Sequence, residues 1–216
     1  MTSIRTIEWK NIHEAPRAEG IYAWYYQPDV TTFDVNKVIV DIKQCNDDGE
    51  SEKALAIAEE FLLKRIFGYF KYEPYDVILS GQLMPGFTGR ALNEQSVSKT
   101  FLHKIVSEPE RLALIQQYLK GAAPLFSSPL YIGKSDSLNA RLTTHKNLIL
   151  KYRAMPTGAL EDEDNEDTSF AKRVVAREIP PERLFVIVYE INAGGGIHVD
   201  MEHIFNRISY PILGRN

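Results

Sequence analysis

The segment SPLYIGKSDSLNARLTTHKN, residues 128–147, has the pattern of a short strand, a turn and a helix. PLYIG is an apolar run that ends in glycine, which predicts a strand closed by a turn. The serines of residues 135–137 offer side-chain oxygens to a helix N-terminus. Leu138, Leu142 and Ile149 then recur near one face of the predicted helix, so we expect this face to pack on a sheet.

Arg141 and His145 lie four residues apart, so their side chains are neighbours on a second face of this helix. One interpretation is an ordinary solvated helix face. The other is a phosphate site, because a guanidinium matches phosphate oxygens bidentately and an imidazole titrates near neutral pH. Gly133 lies just before the helix, and its missing side chain would let backbone or a ligand come close.

The composition is that of an ordinary globular chain. Of 216 residues, 44% are hydrophobic and 25% are charged, which fits one large domain or one domain with an insertion. The net charge of −4 argues mildly against a general nucleic-acid binder. However, EDEDNED at 161–167 holds six carboxylates, and such a run is typical of a solvated loop. The alternative is a flap that keeps the protein off nucleic acid until it moves.

Cellular location is predicted from three absences in the sequence. The single cysteine, Cys45, cannot form an internal disulfide, which favours a reducing compartment. The start MTSIRTIEWK has no apolar signal region, and no apolar run approaches the length of a membrane span. We therefore expect a cytoplasmic protein that does not bind membranes.

Periodicity and turn residues predict an α/β fold. Strands are predicted at 20–26, 35–43, 75–81, 129–133 and 184–191. Helices are predicted at 52–68, 95–106, 109–120 (ending at Gly121), 137–152, 169–178 and 198–209. Residues 82–95, rich in glycine and proline, are predicted to form a loop. Without residues 27–127, the remainder is a small three-stranded mixed or antiparallel sheet flanked by helices.

Several motifs in order resemble the GIY-YIG nuclease superfamily. They are GIY at 20–22, YIG at 131–133, K-S-x-S-L-x-x-R-x-x-x-H at 134–145, and a glutamate on the last helix. The similarity is to a restriction-endonuclease-like member with a long insertion between GIY and YIG. It implies a catalytic core of residues 1–26 plus 128–216. Residues 27–127, which the resemblance does not cover, would be an inserted α/β subdomain for DNA recognition or dimerisation, and the charge run predicts an acidic flexible loop at 157–168.

The resemblance implies that DNA phosphodiester bonds are hydrolysed with one divalent metal, Mg²⁺ or Mn²⁺. Glu202 would be the metal ligand, since hard oxygens suit Mg²⁺, and Arg141 would neutralise the charge that develops on the phosphate. The implied catalytic residues are Tyr22, Tyr131, Lys134, Arg141, His145, Glu202 and Asn216.

The resemblance also implies that Tyr22 is the base that activates water. A tyrosine of ordinary pKa, about 10, needs help in this role. His145 could accept the proton from Tyr22 or from the water. Alternatively, Lys134 could lower the tyrosine pKa by its charge. Tyr131 would position the phosphate or the water. Each tyrosine alone could be ordinary core, since the chain has 11 of them.

The last helix leaves alternatives open. Glu202 could be a solvated flank beside an apolar stripe, and Asp200 and His203 are rival polar groups. Asn216 fits the terminal asparagine of the family better than Asn206. The stripe consists of Met201, Ile204, Phe205 and Ile208, which recur at helical spacing.

Specificity would come from the insertion, where lysine and histidine share a helix face beside a glycine-rich loop. The candidate substrate-binding residues are Gly133, Arg141, Lys99, His103 and Arg90. Lys99 and His103 could contact phosphates or enter a groove. An equally strong interpretation is a structural elaboration or dimer interface with ordinary surface charges.

The leading functional hypothesis is a stand-alone metal-dependent endodeoxyribonuclease of a restriction-modification or phage-defence system. Its partner would be duplex DNA. An enzyme that cuts both strands of a palindromic site would need two active sites, which a homodimer would supply. One alternative is a catalytically inactive nucleic-acid-binding or assembly protein that keeps the fold. Another is a nuclease acting on RNA or repair intermediates.

Overall fold

The structure is a computed structural model that describes residues 4–28, 30–70, 75–81, 84–91, 96–155, 166–191 and 193–214. The chain divides into two compact units, one built from residues 1–29 together with 119–216 and the other from residues 30–118. The α/β class expected from the sequence is confirmed in the described residues.

Strands and helices are interspersed along the chain. The strands are β1 (Ile4–Glu8), β2 (Gly20–Tyr26), β3 (Tyr75–Gly81), β4 (Met84–Ala91), β5 (Tyr131–Ser135) and β6 (Leu184–Glu190). The helices are α1 (Thr32–Asp47), α2 (Ser51–Phe61), α3 (Lys99–Ser107), α4 (Arg111–Phe126), α5 (Leu138–Arg153), α6 (Glu166–Ala176) and α7 (Ile197–Ser209). Short 3₁₀ turns cover Trp9–Glu14 and Pro181–Arg183, and a π-helical turn, Leu62–Ile66, continues α2.

The first unit contains a four-stranded antiparallel sheet in the order β1-β6-β2-β5. The expectation of three strands is therefore wrong in number. The additional strand, β1, has a single buried residue, Ile7, so it lacks the alternation that would reveal it in the sequence. The prediction of a strand at 20–26 is confirmed, and the strand predicted at 184–191 matches β6.

The core of this unit lies between the sheet and two helices. Tyr22, Trp24 and Tyr26 alternate along one face of β2, and each is at most 1% exposed. The expected apolar face of α5 is confirmed, because Leu138, Leu142 and Ile149 are fully buried. Phe170 of α6 is fully buried and stacks on Trp24, with 5.7 Å between the ring centroids.

Residues 35–43, predicted as a strand, belong to helix α1 instead. The pattern of VNKVIVDIK fits both periods, and a capping box decides in favour of the helix. Thr31 Oγ1 accepts from the Asp34 backbone, and the Asp34 carboxylate accepts from the Thr31 backbone. The buried positions of α1 are Val35, Ile42 and Cys45, which is helical spacing.

Two further corrections concern glycine and proline. Within the predicted loop of 82–95, residues Met84–Ala91 form β4, which pairs with β3 in a two-stranded sheet. Proline is tolerated there because an edge strand does not need every N–H. Helix α4 continues past Gly121 to Phe126, so this glycine does not end it.

The acidic loop predicted at 157–168 falls mostly outside the described residues. Its last residues, 166–168, form the start of α6 and are helical rather than loop.

Candidate active site

The two tyrosine motifs lie side by side in the sheet. Tyr22 of β2 is the register partner of Gly133 of β5. A Cβ atom at Gly133 would lie 2.5 Å from the Tyr22 hydroxyl oxygen, so only glycine leaves room for this phenol. Gly20 is required for a similar reason, since its Cβ would overlap the carbonyl oxygen of Tyr189. The space over Gly133 is thus filled by Tyr22.

The Tyr22 hydroxyl lies between two side chains of α5. It is 2.8 Å from His145 Nε2 and accepts a hydrogen bond of 3.2 Å from Arg141 Nε. The spacing of four residues on α5 directs both side chains to the same point on the sheet. The structure thus brings together Tyr22, Arg141 and His145, which are three of the residues that the sequence predicted to be catalytic.

Protonation of this group is controlled by burial. Tyr22 is 1% exposed, and burial, followed by the nearby Tyr131, raises its pKa above the ordinary value. Burial and then the Arg141 charge lower the pKa of His145 to about 3. At neutral pH both groups are therefore uncharged, and the Tyr22 phenol can donate to Nε2 when the imidazole proton is on Nδ1.

Arg141 is the cation that acts on Tyr22. Its charge and its hydrogen bond both favour the ionised phenol, although burial outweighs them and the Tyr22 pKa stays high. Lys134, which the sequence offered as an alternative for this role, is paired with Glu202 on α7.

Phe170 is a member of the site that sequence reasoning missed. Its ring centroid lies 5.0 Å from that of Tyr131 and 5.3 Å from that of His145, and the ring is fully buried. A lone phenylalanine in a short helical segment gives no sequence signal for this placement.

In the described residues, His145 Nδ1 has no hydrogen-bond partner, so no carboxylate strengthens this base.

A second group of side chains lies where α7 contacts β5. Glu202 Oε2 is 3.7 Å from Lys134 Nζ, and Glu202 Oε1 accepts a 3.0 Å hydrogen bond from Asn206 Nδ2. Asn206 is therefore the asparagine beside this glutamate, whereas Asn216 lies outside the described residues. Gly133 and Lys134, adjacent on β5, connect the two groups.

The apolar stripe noted on α7 does not form its buried face. Ile204 and Ile208 are exposed, and the buried residue of this helix is His198. His198 Nε2 is 3.0 Å from Asp136 Oδ1, and Nδ1 is 3.7 Å from Glu19 Oε2. A histidine between two carboxylates thus anchors the start of the helix, which is a pairing that sequence spacing does not reveal.

The Glu202 carboxylate fits a Mg²⁺ ion whose other ligands would be water and phosphate oxygens. The Glu202 side chain is 18% exposed, and each carboxylate oxygen has more than one lone pair. Across the described ranges, no group of three histidine, cysteine, aspartate or glutamate side chains could hold a metal. One carboxylate with waters and phosphate oxygens is a normal Mg²⁺ arrangement. The two nitrogens of His198 point in opposite directions and cannot share an ion with Glu19 and Asp136.

The candidate recognition residues lie in the second unit. Lys99 and His103 are exposed on α3, and Arg90 is on β4.

Comparison of the chain with protein-family models, with curated proteins and with solved structures finds no match. In the part of the chain that the structure describes, no helix combines the length and apolar character needed to cross a bilayer.

Proposed function

We propose that this protein is a GIY-YIG-type, metal-dependent endonuclease that hydrolyses DNA phosphodiester bonds. The observation that carries the proposal is the buried group in which Tyr22 bonds to both Arg141 and His145. An ordinary core tyrosine needs one hydrogen-bond partner, whereas this hydroxyl has a cation and a neutral base beside it. These are the groups that phosphate hydrolysis needs next to an attacking water.

Arg141 would bind the scissile phosphate. Its side chain is only partly buried, so a ligand can reach it. A guanidinium has five N–H donors, and the bond from Nε to Tyr22 is compatible with further donation to phosphate oxygens. The same bond fixes the position of the guanidinium relative to the tyrosine.

Tyr22 and His145 would move the proton of the attacking water. Because the Tyr22 pKa is high and the His145 pKa is low, a stable phenolate does not form beforehand. Tyr22 would therefore take the proton from water at the moment when its own proton passes to His145 Nε2, 2.8 Å away. Such a relay keeps charge separation short-lived in a buried site.

Glu202 would hold the divalent metal, Mg²⁺ or Mn²⁺, with Asn206 orienting the carboxylate. When bound, the ion supplies positive charge for the leaving oxygen. Lys134 lies beside the same carboxylate and would compensate its charge when the metal is absent.

Incubation with supercoiled plasmid and phage DNA in Mg²⁺ or Mn²⁺ tests the proposal. Wild type should cut, and Glu202→Gln should not, while the exposed control Glu8→Gln cuts normally. Discrete fragments would support a restriction or phage-defence role. Parallel single-stranded DNA and RNA substrates identify the nucleic acid. Cutting by Glu202→Gln at the wild-type rate would refute the metal-site assignment.

One observation favours a second candidate, an inactive nucleic-acid-binding protein. Lys134 is paired with Glu202, and a permanent ion pair would keep a metal out. DNA binding by wild type without cleavage in Mg²⁺ or Mn²⁺ would select this alternative.

A further inference from the structure

Helix α7 carries a row of apolar side chains on its solvent side. Ile197 is 37% exposed, Ile204 48% and Ile208 67%, and Met201 is partly exposed. We call these four residues the α7 seam. Contiguous exposed apolar rows of this kind are unusual on a monomer and indicate an interaction surface.

The spacing within the α7 seam is typical of helix–helix packing. Successive members are four, three and four residues apart, which is the a/d repeat of a two-stranded coiled coil. The side of α7 that contacts its own sheet is different, because it contains the buried His198. The three exposed isoleucines of the seam therefore lie outside the contact that docks α7 on its own sheet.

Charged residues beside the seam indicate which helix it accepts. Asp200 and Arg207 are both exposed and lie one heptad apart, so they flank the seam on the same side. If two α7 helices pair antiparallel, Ile197 meets Ile208 of the second copy and Met201 meets Ile204. Asp200 then lies opposite Arg207 at each end of the pair. A parallel pair would not bring these opposite charges together.

We propose that α7 pairs antiparallel with α7 of a second copy of this chain, about a twofold axis. Self-complementary charge along one helix is what an isologous interface requires. The helix has 13 residues, so it is about 20 Å long. The interface is smaller than that of a standard stable complex, and the dimer should dissociate on dilution.

The pairing goes beyond the proposed function and does not depend on it. Glu202 lies on the same helix but outside the seam, so pairing leaves this carboxylate uncovered by the seam contacts. If the proposed function holds, the dimer supplies two active sites for a cut in both strands.

Sedimentation velocity from low to high micromolar protein tests the pairing without any nuclease assay. Wild type should shift from monomer to dimer. Asp200→Arg and Arg207→Asp should each weaken the dimer at least about tenfold, because each places like charges together at both ends. The double variant should restore wild-type association.

Ile204→Asp should give a monomer, whereas Leu150→Asp, at a position 47% exposed on α5, should not. Thermal melts of each variant confirm folding, and the charge variants test the pairing if Ile204→Asp does not fold. A monomeric wild type at every concentration would overturn the proposal. So would a dimer insensitive to the seam variants, or a double variant that associates no better than the single ones.

Discussion

At the scale of single residues, burial acts in opposite directions on the two partners of one hydrogen bond. It raises the pKa of Tyr22 and lowers the pKa of His145. Each shift favours the uncharged form, as desolvation does for an acid and for a base. The pair is therefore held neutral, and in the proposed nuclease its reactivity would depend on charges that arrive with the phosphate and the metal.

The neutral imidazole of His145 makes stability depend on pH. Its pKa is about 3 when folded and about 6.5 when unfolded, so below pH 6.5 the unfolded chain binds the additional proton. Stability should fall with pH from 6.5 towards 3, by about 1.4 kcal/mol per unit. Between pH 6.5 and 5, denaturant titrations should show wild type losing about 1.6 kcal/mol more than His145→Gln. His13→Gln, at an exposed position, should match wild type, and equal slopes for all three proteins would contradict the assignment.

Gly133 is predicted to tolerate no side chain. In Gly133→Ala the new Cβ would overlap the Tyr22 hydroxyl and ring, which must shift. We expect a loss of about 1–3 kcal/mol in unfolding free energy and a loss of about 100-fold in cleavage rate. Gly121→Ala is the matched control, since nothing lies within 4 Å of its Cβ position. A Gly133→Ala enzyme that is as active as wild type would show that the Tyr22 position is unimportant.

At the scale of elements, α7 is a helix whose start is not fixed by its own sequence. Its N-cap residue, Gly196, is in the left-handed region and provides no side-chain cap, and Gly194 and Gly195 before it also have positive φ. His198 supplies the missing restraint through Asp136 and Glu19. Since Glu202 follows one turn later, this anchor also positions the carboxylate.

Replacement of His198 by phenylalanine should loosen α7. The ring keeps its approximate shape but loses its polar contacts with Asp136 and Glu19, and because the Asp136 side chain is 94% exposed we expect a cost of only about 0.2–1 kcal/mol. Hydrogen exchange should accelerate across α7 amides and stay unchanged in β2. His203→Phe, exposed on the same helix, is the control. Unchanged protection of α7 in His198→Phe would show that the histidine does not anchor the helix.

At the scale of the whole molecule, the structural elements that were predicted correctly are those that a local residue pattern determines. Strand β2, strand β5 and the apolar face of α5 follow from short motifs with clear periods. Helix α1 was mistaken for a strand because its apolar spacing fits both structures, and the capping box settles the choice. The burial of α7 could not be predicted, because its anchor depends on carboxylates distant in sequence.

The proposed role of Arg141 in phosphate binding is tested by comparing Arg141→Ala with wild type in single-turnover DNA cleavage and in thermal unfolding. If Arg141 binds the phosphate, the cleavage rate should fall by about 100-fold or more. Stability should fall by about 1.5–3 kcal/mol with the variant still folded, because the charged guanidinium is hydrogen-bonded to both Tyr22 and Tyr131. Wild-type cleavage by Arg141→Ala, or a large loss of stability that accounts for the missing activity, would mean that this arginine supports the fold and not the chemistry.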